Sequence, residues 1–401
     1  MATQQLKFPV LHTESTAYNF VSLAKQHNQA NQPYLFVNHL SAKHVPCHPL
    51  KAIRMFARLA HQLNQYYPER KLVIGVSEAA AAVTFFTDRW LSNRVYQYFQ
   101  TTHHIDSADS KDYLSFHGPH DQGPEQYLPL HGLETAIQEA ETIVFVDDEL
   151  LTGGTVRALI RAMTIRFPTL MADKKFVAAS IVNQVADSAL YSLLYSNIRC
   201  LYLAKVPEDD FKNLVKGIPT EAPERIDYSV FDRLGYPTMD FVEGKNLFTV
   251  SLNLPKSNIL DPELTETKLE ALRPIVQEIK AKFKHLPKDV LVMGTEECIA
   301  PAILAGNYAL DFKLSENVRV HSTTCIPIEC TDKEERYPIQ NGHWLPSVYG
   351  NYDTYLYDLA SYDAFIIVSD ADPASPGVTA LWKLLSLYGA TPDKTYYIHI
   401  N

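Results

Sequence analysis

The sequence predicts an α/β protein with a mostly parallel sheet, built as two related copies within one chain. Three observations carry that prediction. Short apolar runs alternate with stretches of helical periodicity. The chain, at 401 residues, exceeds what a single core usually serves. Three segments of the first half also recur in the second, in the same order and at matched spacing.

In chain order, "YLFVNHLSAKHVPCHP" (34–49) reads as a short extended segment closed by a proline-bounded turn, and Leu50 to Tyr66 continues with apolar residues at helical spacing. "KLVIGVSEAAAAVTFF" gives a buried strand, Leu72 to Val76, running through a glycine turn into an alanine-rich helix. "VYQYFQTTHHI" reads as a second strand, and "IVFVDD" as a third that leads into the helix of the Thr142 to Ile160 stretch. "KKFVAASIVNQ" and "IRCLYLAKV" add two β-rich runs with a helical stretch between them. Strands alternating with helices imply parallel pairing. From about Val215 to Phe248 the chain turns rich in Pro, Asp and Glu, which sets the expected domains at 1–215 and 249–401 with a linker over 216–248.

The repeat pairs "LVIGVSEAAAA" at Leu72 with "LVMGTEECIAPA" at Leu291, "FQTTHHI" with "HSTTCIPI", and "IVFVDDELLTGGTVRALI" with "FIIVSDADPASPGVTALWKLL". Gly75 to Asp148 is 148 − 75 = 73 positions and Gly294 to Asp370 is 370 − 294 = 76, so order and spacing agree together.

A net charge of −10 with 20% charged residues argues against nucleic acid or a membrane as partner, while leaving room for a local basic pocket for a phosphorylated ligand. The five cysteines are scattered without a Cys-x-x-Cys pair, so reduced thiols are expected. The first twenty residues lack the apolar core of a signal peptide, and no window approaches ~18 uninterrupted apolar residues. A cytoplasmic protein is the expectation.

The chemistry concentrates in "TIVFVDDELLTGGTVRALI". At the carboxyl end of a central strand, residues after Val146 face the crevice where ligands of open α/β sheets sit. Thr152, Gly153, Gly154 and Thr155, at a helix start, offer bare amides, the positive end of the helix dipole and two hydroxyls, a set suited to a phosphate monoester. Asp147 and Asp148 stand one sugar away and can accept from vicinal hydroxyls. The inferred ligand is a ribose 5-phosphate. No Gly-x4-Gly-Lys-Ser/Thr loop and no Gly-x-Gly-x-x-Gly after a strand offers a nucleotide alternative.

"VFVDDELLTGGT" resembles the phosphoribosyl diphosphate (PRPP) motif of type I phosphoribosyltransferases. The wider pattern, with "FVNHLSAKHVPCHP", "VIGVSEAAAA", "TTHHI" and "STTCIPIEC", resembles the phosphoribosyltransferase-like proteins of bacterial tellurium-resistance and stress gene clusters, which add a C-terminal domain marked by a Ser-Thr-Thr-Arg-Ser-Pro signature. Cys325 stands here where that signature has arginine. The resemblance implies the type I phosphoribosyltransferase fold, a PRPP-binding domain followed by a degenerate copy, and Mg²⁺-dependent transfer of 5-phosphoribosyl from PRPP to a base-like small-molecule acceptor. It assigns Asp147 and Asp148 to the ribose hydroxyls, with only indirect contact to Mg²⁺ through PRPP. Gly75, Val76, Ser77, Glu78 and Ala79, with Thr101, Thr102 and His103, are implied for the pyrophosphate side. A PRPP- or nucleotide-sensing regulator on the same fold is the alternative.

Residues 103–131 are polar, punctuated by Gly and Pro, and long for a connection, so a lid or disorder is expected there. Lys43, His44, Lys111 and His120 are candidate pyrophosphate or base contacts. The histidine spacing matches no metal-ligand pair. In the second copy "SDADPASPGVT" places Pro373 and Pro376 where amide donors would be wanted. That half is expected to bind another ligand, complete the first site, or mediate dimerisation.

Overall fold

The structure, a computed structural model, describes residues 20–29, 32–76, 80–95, 98–102, 111–118, 125–206, 209–233, 235, 239–250, 270–350 and 352–400. The first half opens with an antiparallel hairpin, β1 (Val21–Lys25) and β2 (Tyr34–Asn38), and helix α1 (Pro49–Tyr66). β3 (Lys71–Gly75), α2 (Ala81–Arg89) and β4 (Phe99–Gln100) follow, then a second hairpin of β5 (Tyr113–His117) and β6 (Glu125–Pro129). α3 (Leu133–Glu139) leads to β7 (Thr142–Leu150), α4 (Gly154–Arg166), α5 (Pro168–Met171), β8 (Lys175–Asn183), α6 (Asp187–Tyr195) and β9 (Ile198–Lys205).

Two short helices, α7 (Phe211–Lys216) and α8 (Ser229–Arg233), precede the second half. Its strands are β10 (Leu247–Val250), β11 (Asp289–Gly294), β12 (Asn317–Ser322), the hairpin β13 (Gly342–Pro346) and β14 (Asp353–Tyr357), β15 (Ala364–Ser369) and β16 (Thr395–Ile400). Its helices are α9 (Leu272–Lys282), α10 (Ile299–Asp311) and α11 (Pro376–Ser386).

Each half holds a five-stranded, all-parallel sheet, ordered β4-β3-β7-β8-β9 and β12-β11-β15-β16-β10. The repeat in the sequence is thus a repeat of topology. In both sheets the first strand is flanked by the second on one side and the third on the other. Only the fifth place differs, filled by β9 from after the unit in one half and by β10 from before it in the other.

The strands are apolar on both faces because both faces are covered. α1 buries Ala52, Met55, Phe56, Leu59, Ala60 and Leu63, a stripe at helical spacing. A single core joins that stripe, α2 and α10 with the inner faces of both sheets. α10 approaches α1 closely: a Cβ on Gly306 would stand 2.5 Å from Val320 and 3.4 Å from Pro49. The outer faces carry separate cores, one including residues of α3, α4 and α6, the other residues of α11 and the β13–β14 hairpin.

In the stretch 216–248, read from the sequence as a linker, several described residues lie against the second half. Glu221 pairs with Cys330, Glu224 bonds to Gly342, and Ile226, Tyr228, Met239 and Phe241 pack on its outer core. In the stretch expected to be a lid or disordered, the described residues include the β5–β6 hairpin, which alternation such as "YLSFH" could have signalled. The strand expected over "VYQYFQTTHHI" is described only as Phe99–Gln100. No helix among the described residues is long and apolar enough to cross a membrane.

Candidate functional site

β3 sends the chain to β4 on one side while β7 lies on the other, so the order of the first sheet reverses between β3 and β7. Ligands of such sheets sit outside the carboxyl ends of the strands at that reversal. β7 ends there with Asp147, Asp148 and Glu149, and the turn after it delivers α4.

Gly153 occupies the cap position of α4 at φ 69°, and no side chain caps the helix. The left-handed conformation favours glycine, and a Cβ would lie 2.9 Å from both methyl carbons of Leu193. Thr152 Oγ1 accepts from the Gly154 amide at 3.2 Å, leaving the start of α4 without an acidic or long polar competitor for an anion. The β5–β6 hairpin stands beside this turn: a Cβ on Gly118 would be 3.8 Å from Thr155 Oγ1.

Three carboxyl groups in a row would repel a phosphorylated sugar if all were ionised, and the surroundings prevent that. Burial, then the neighbouring Asp148 charge, pushes Asp147 well above the usual carboxylate range. Burial also opposes ionisation of Asp148, but the Lys43 ammonium at 2.8 Å outweighs it and holds that group low. Glu149, accepting from Gln184, is pushed up to about 8 by burial and by Asp148. The Asp148 amide donates to Asp147 Oδ1 at 2.9 Å, which fixes the two carboxyls relative to each other. Within the row, Asp148 is the carboxyl held low, and Lys43 matches its charge.

A cavity of about 390 Å³ opens beside this row. Lys43 and His44 line it along with Asp147, Asp148, Glu149 and Leu151. His44 is only 5% exposed and neither ring nitrogen has a hydrogen-bond partner; burial, then Lys43, lowers it to about 3, so it is neutral. Gln26, Gln29 and Gln32 of the first hairpin and Ile326 of the second half also line it. Sequence reasoning missed Glu149, these glutamines and Ile326. The three-residue spacing of the glutamines in "QHNQANQ" was the one available signal. A larger cavity, about 920 Å³, runs along α1 past Lys51, Arg54, Arg58 and Lys205, but holds none of the motif residues.

The remaining sequence candidates fall elsewhere. Gly75 serves close packing, since a Cβ there would be 1.8 Å from Gln100 Oε1 and 2.3 Å from Thr84 Oγ1; the Val76 amide donates to Val146. Thr101 is buried, its hydroxyl donating to Gln126 at 2.9 Å, and Thr102 pairs with Tyr127 through the backbone. Neither lines the cavity. Lys111 is exposed just before the β5–β6 hairpin. Ser77, Glu78, Ala79, His103 and His120 lie outside the described residues. Among the described residues no group of three or more His, Cys, Asp and Glu side chains is placed to hold a metal.

The corresponding place in the second half is filled by the chain itself. Ser375 caps α11, accepting from the Val378 amide, with Pro376 as first helical residue. A Cβ on Gly377 would be 2.5 Å from Ser347 O and from Val348 Cα, so the 347–348 segment sits on that helix start. Glu296, at φ 47°, accepts from Ser347 Oγ at 3.0 Å, from the Val348 amide at 2.9 Å and from Tyr352 Oη. Tyr349 donates to Asp370 at 2.8 Å.

The family described as phosphoribosyl transferase matches residues 20–204, and the TRSP domain that lies C-terminal to it matches residues 260–385. The chain carries a phosphoribosyl transferase domain followed by a TRSP domain. Its phosphoribosyl transferase domain holds every motif residue described above. Among solved structures the chain is similar to adenine phosphoribosyl transferase from Trypanosoma brucei in complex with AMP, pyrophosphate and ribose-5-phosphate, at 12% identity and TM-score 0.38 over 54% of this chain and 89% of that one. The Giardia lamblia enzyme complexed with 9-deazaadenine matches at 11% identity and TM-score 0.36, over 48% of this chain and 97% of its own. No curated protein matches the sequence.

Proposed function

We propose that the phosphoribosyl transferase domain moves 5-phosphoribosyl from PRPP to a nitrogen of a base or base-like acceptor and releases pyrophosphate. The observation that carries this reading is the continuity of β7 and α4: adjacent carboxyls at the strand end, followed at once by an uncapped helix start with Gly153 in the left-handed region. A ribose 5-phosphate spans the two, its 5′-phosphate on the amides around Gly153 and Gly154 and its 2′- and 3′-hydroxyls on Asp148 and Asp147. Thr152 and Thr155 add hydroxyl donors.

In the reaction the acceptor nitrogen forms a bond to C1′ as the C1′–O bond to pyrophosphate breaks, and the acceptor's proton leaves to solvent or to pyrophosphate. The residues act by positioning and by charge rather than as a nucleophile. Asp148 keeps its negative charge near the developing oxocarbenium, and Lys43, paired with it, holds it ionised. The donor set fits Mg²⁺ as an ion carried by PRPP and water, because Asp148 is already paired and no cluster of side-chain ligands is present among the described residues. When bound, the ion offsets the charge of pyrophosphate.

The test is calorimetric titration with Mg²⁺–PRPP and with ribose, followed by a pyrophosphate-release assay over a panel of bases. One PRPP per chain, no binding of ribose, and release with at least one base is the expected result. Equal affinity for ribose would overturn the phosphate-loop assignment; tight PRPP binding without release for any base would turn the reading toward a PRPP-sensing protein.

A further inference from the structure

We infer that the C-terminal TRSP domain is part of the acceptor site of the phosphoribosyl transferase domain: its Ile326 lines the cavity beside Asp148, and the ligand it helps select is an uncharged nitrogen heterocycle. The inference rests on the proposed transfer for the word acceptor, while the composite cavity stands on geometry alone.

Both N-terminal segments that line this cavity are hydrogen-bonded to the second half. At the first hairpin, the His27 amide donates to Pro327 O and the Glu329 amide to Lys25 O, each at 2.9 Å, with Gln26 opposite Ile328. The stretch from Pro327 to Glu329 thus adds a third strand to β1. Lys25 and Glu329 pair at 2.7 Å, and Tyr337 Oη accepts from the Lys25 amide at 2.9 Å while donating to Glu329 O at 2.8 Å. These contacts fix the tip that carries Gln26, Gln29 and Gln32.

The loop that carries Lys43 is held in the same way. Cys47 and Val320 exchange backbone hydrogen bonds at 2.9 and 2.8 Å, and His321 brings Nδ1 to 3.2 Å from Ala42 O. Ala42 has φ 61°, a region costly for any residue with a Cβ, so Lys43 is aimed by a backbone turn that persists only because neighbours enforce it. Its immediate neighbour in the fold is the second half. Ile326 then projects into the cavity between the two anchored segments, with Cys325 exposed beside it.

The lining defines the ligand class. Glutamine amides both donate and accept, and neutral His44 has one donor and one acceptor nitrogen, both without a partner in a nearly buried position. One ligand edge can engage one of these nitrogens, as donor or acceptor according to the tautomer. Phe36, Val182 and Ile326 supply apolar surface for a flat ring. Among the described residues no cationic side chain apart from Lys43 lines the cavity, and Lys43 is already paired with Asp148, so an anionic heterocycle is disfavoured.

The experiment uses the full-length protein and its exposed Cys325 thiol as reporter. Alkylation of Cys325 by iodoacetamide is followed by peptide mass analysis with and without Mg²⁺–PRPP, and with adenine, hypoxanthine, uracil, nicotinamide or the anionic orotate. At least one uncharged ring is expected to slow alkylation about tenfold at roughly ten times its dissociation constant, with orotate far weaker. Ile326→Trp should weaken that ring at least tenfold yet leave Mg²⁺–PRPP affinity within about twofold. Ile326→Ala, the milder change, should weaken it less and melt like the parent. If no ring protects Cys325, or both variants bind the rings as the parent does, the inference falls even where PRPP binds. If Mg²⁺–PRPP fails to bind the parent while a ring protects Cys325 and Ile326→Trp abolishes that protection, the transfer reading falls and the composite cavity stands.

Discussion

The acidic row makes a quantitative prediction through Glu149. Burial and the Asp148 charge push this carboxyl up to about 8, against an ordinary value of 4.5. The folded state thus binds the proton more tightly than the unfolded chain. Its contribution to stability is fully present below the ordinary range and is lost as pH rises through the folded value. With those two values, linkage gives a loss of about 4 kcal/mol between about pH 5 and about pH 9, of which roughly two thirds is gone by pH 7. Glu149→Gln keeps the shape and the contact with Gln184 while removing the proton. Urea unfolding of parent and variant across that range should show the parent losing several kcal/mol relative to the variant as pH rises. Parallel pH profiles would refute the reasoning, because a carboxyl that ionises without cost is not buried beside another carboxylate.

Three further outcomes are expected. Lys43→Met leaves Asp148 partly buried without its partner and should cost about 1–3 kcal/mol near neutral pH; since Lys43 holds Asp148 low, the gap should close on acidification below about pH 4, and a gap independent of pH would exclude the pair as its source. Gly153→Ala should destabilise by about 1–3 kcal/mol through its positive φ and its clash with Leu193, and adding Leu193→Ala should relieve the clash but leave the backbone strain, a non-additivity readable in a double-mutant cycle. Asp148→Asn should weaken Mg²⁺–PRPP binding by about tenfold to hundredfold in calorimetry. Unchanged affinity would remove Asp148 from the ribose contacts.

The fold was legible where the residues had one reading. Runs such as "IVFV" and "FIIV" are apolar on both faces, which suits a sheet covered on both sides, and the triple match of spacing exposed the duplication. The turn into α4 was legible because two adjacent glycines after an apolar strand call for a tight turn, and Gly153 takes the left-handed conformation there. The β5–β6 hairpin was missed because its polar, Gly- and Pro-bounded setting outweighed five residues of alternation. Thr101 looked like a ligand contact by position, but its hydroxyl faces Gln126, a partner 25 residues away that no local pattern reveals. Ile326 could not have been found from the sequence, since its role depends on how the second half packs against the first hairpin.

The contrast between the halves explains why one plan yields one candidate site. A row of helix amides can serve a ligand only if the chain does not serve it first. In α4 the cap is a glycine without a side chain, Thr152 Oγ1 accepts from the Gly154 amide but no side chain caps the turn beyond it, and the strand before it carries Asp148 paired with Lys43. In α11 Ser375 takes the Val378 amide, Pro376 has no donor to offer, and the 347–348 backbone packs against Gly377. Glu296 then occupies the end of β11 with a carboxylate that already has Ser347, Val348 and Tyr352 as donors. Reversing Pro376 alone would restore one amide beneath a segment that still covers it. The second half is better matched to the task its contacts perform: it holds Ala42 and the first hairpin in place, and through them aims Lys43 at Asp148.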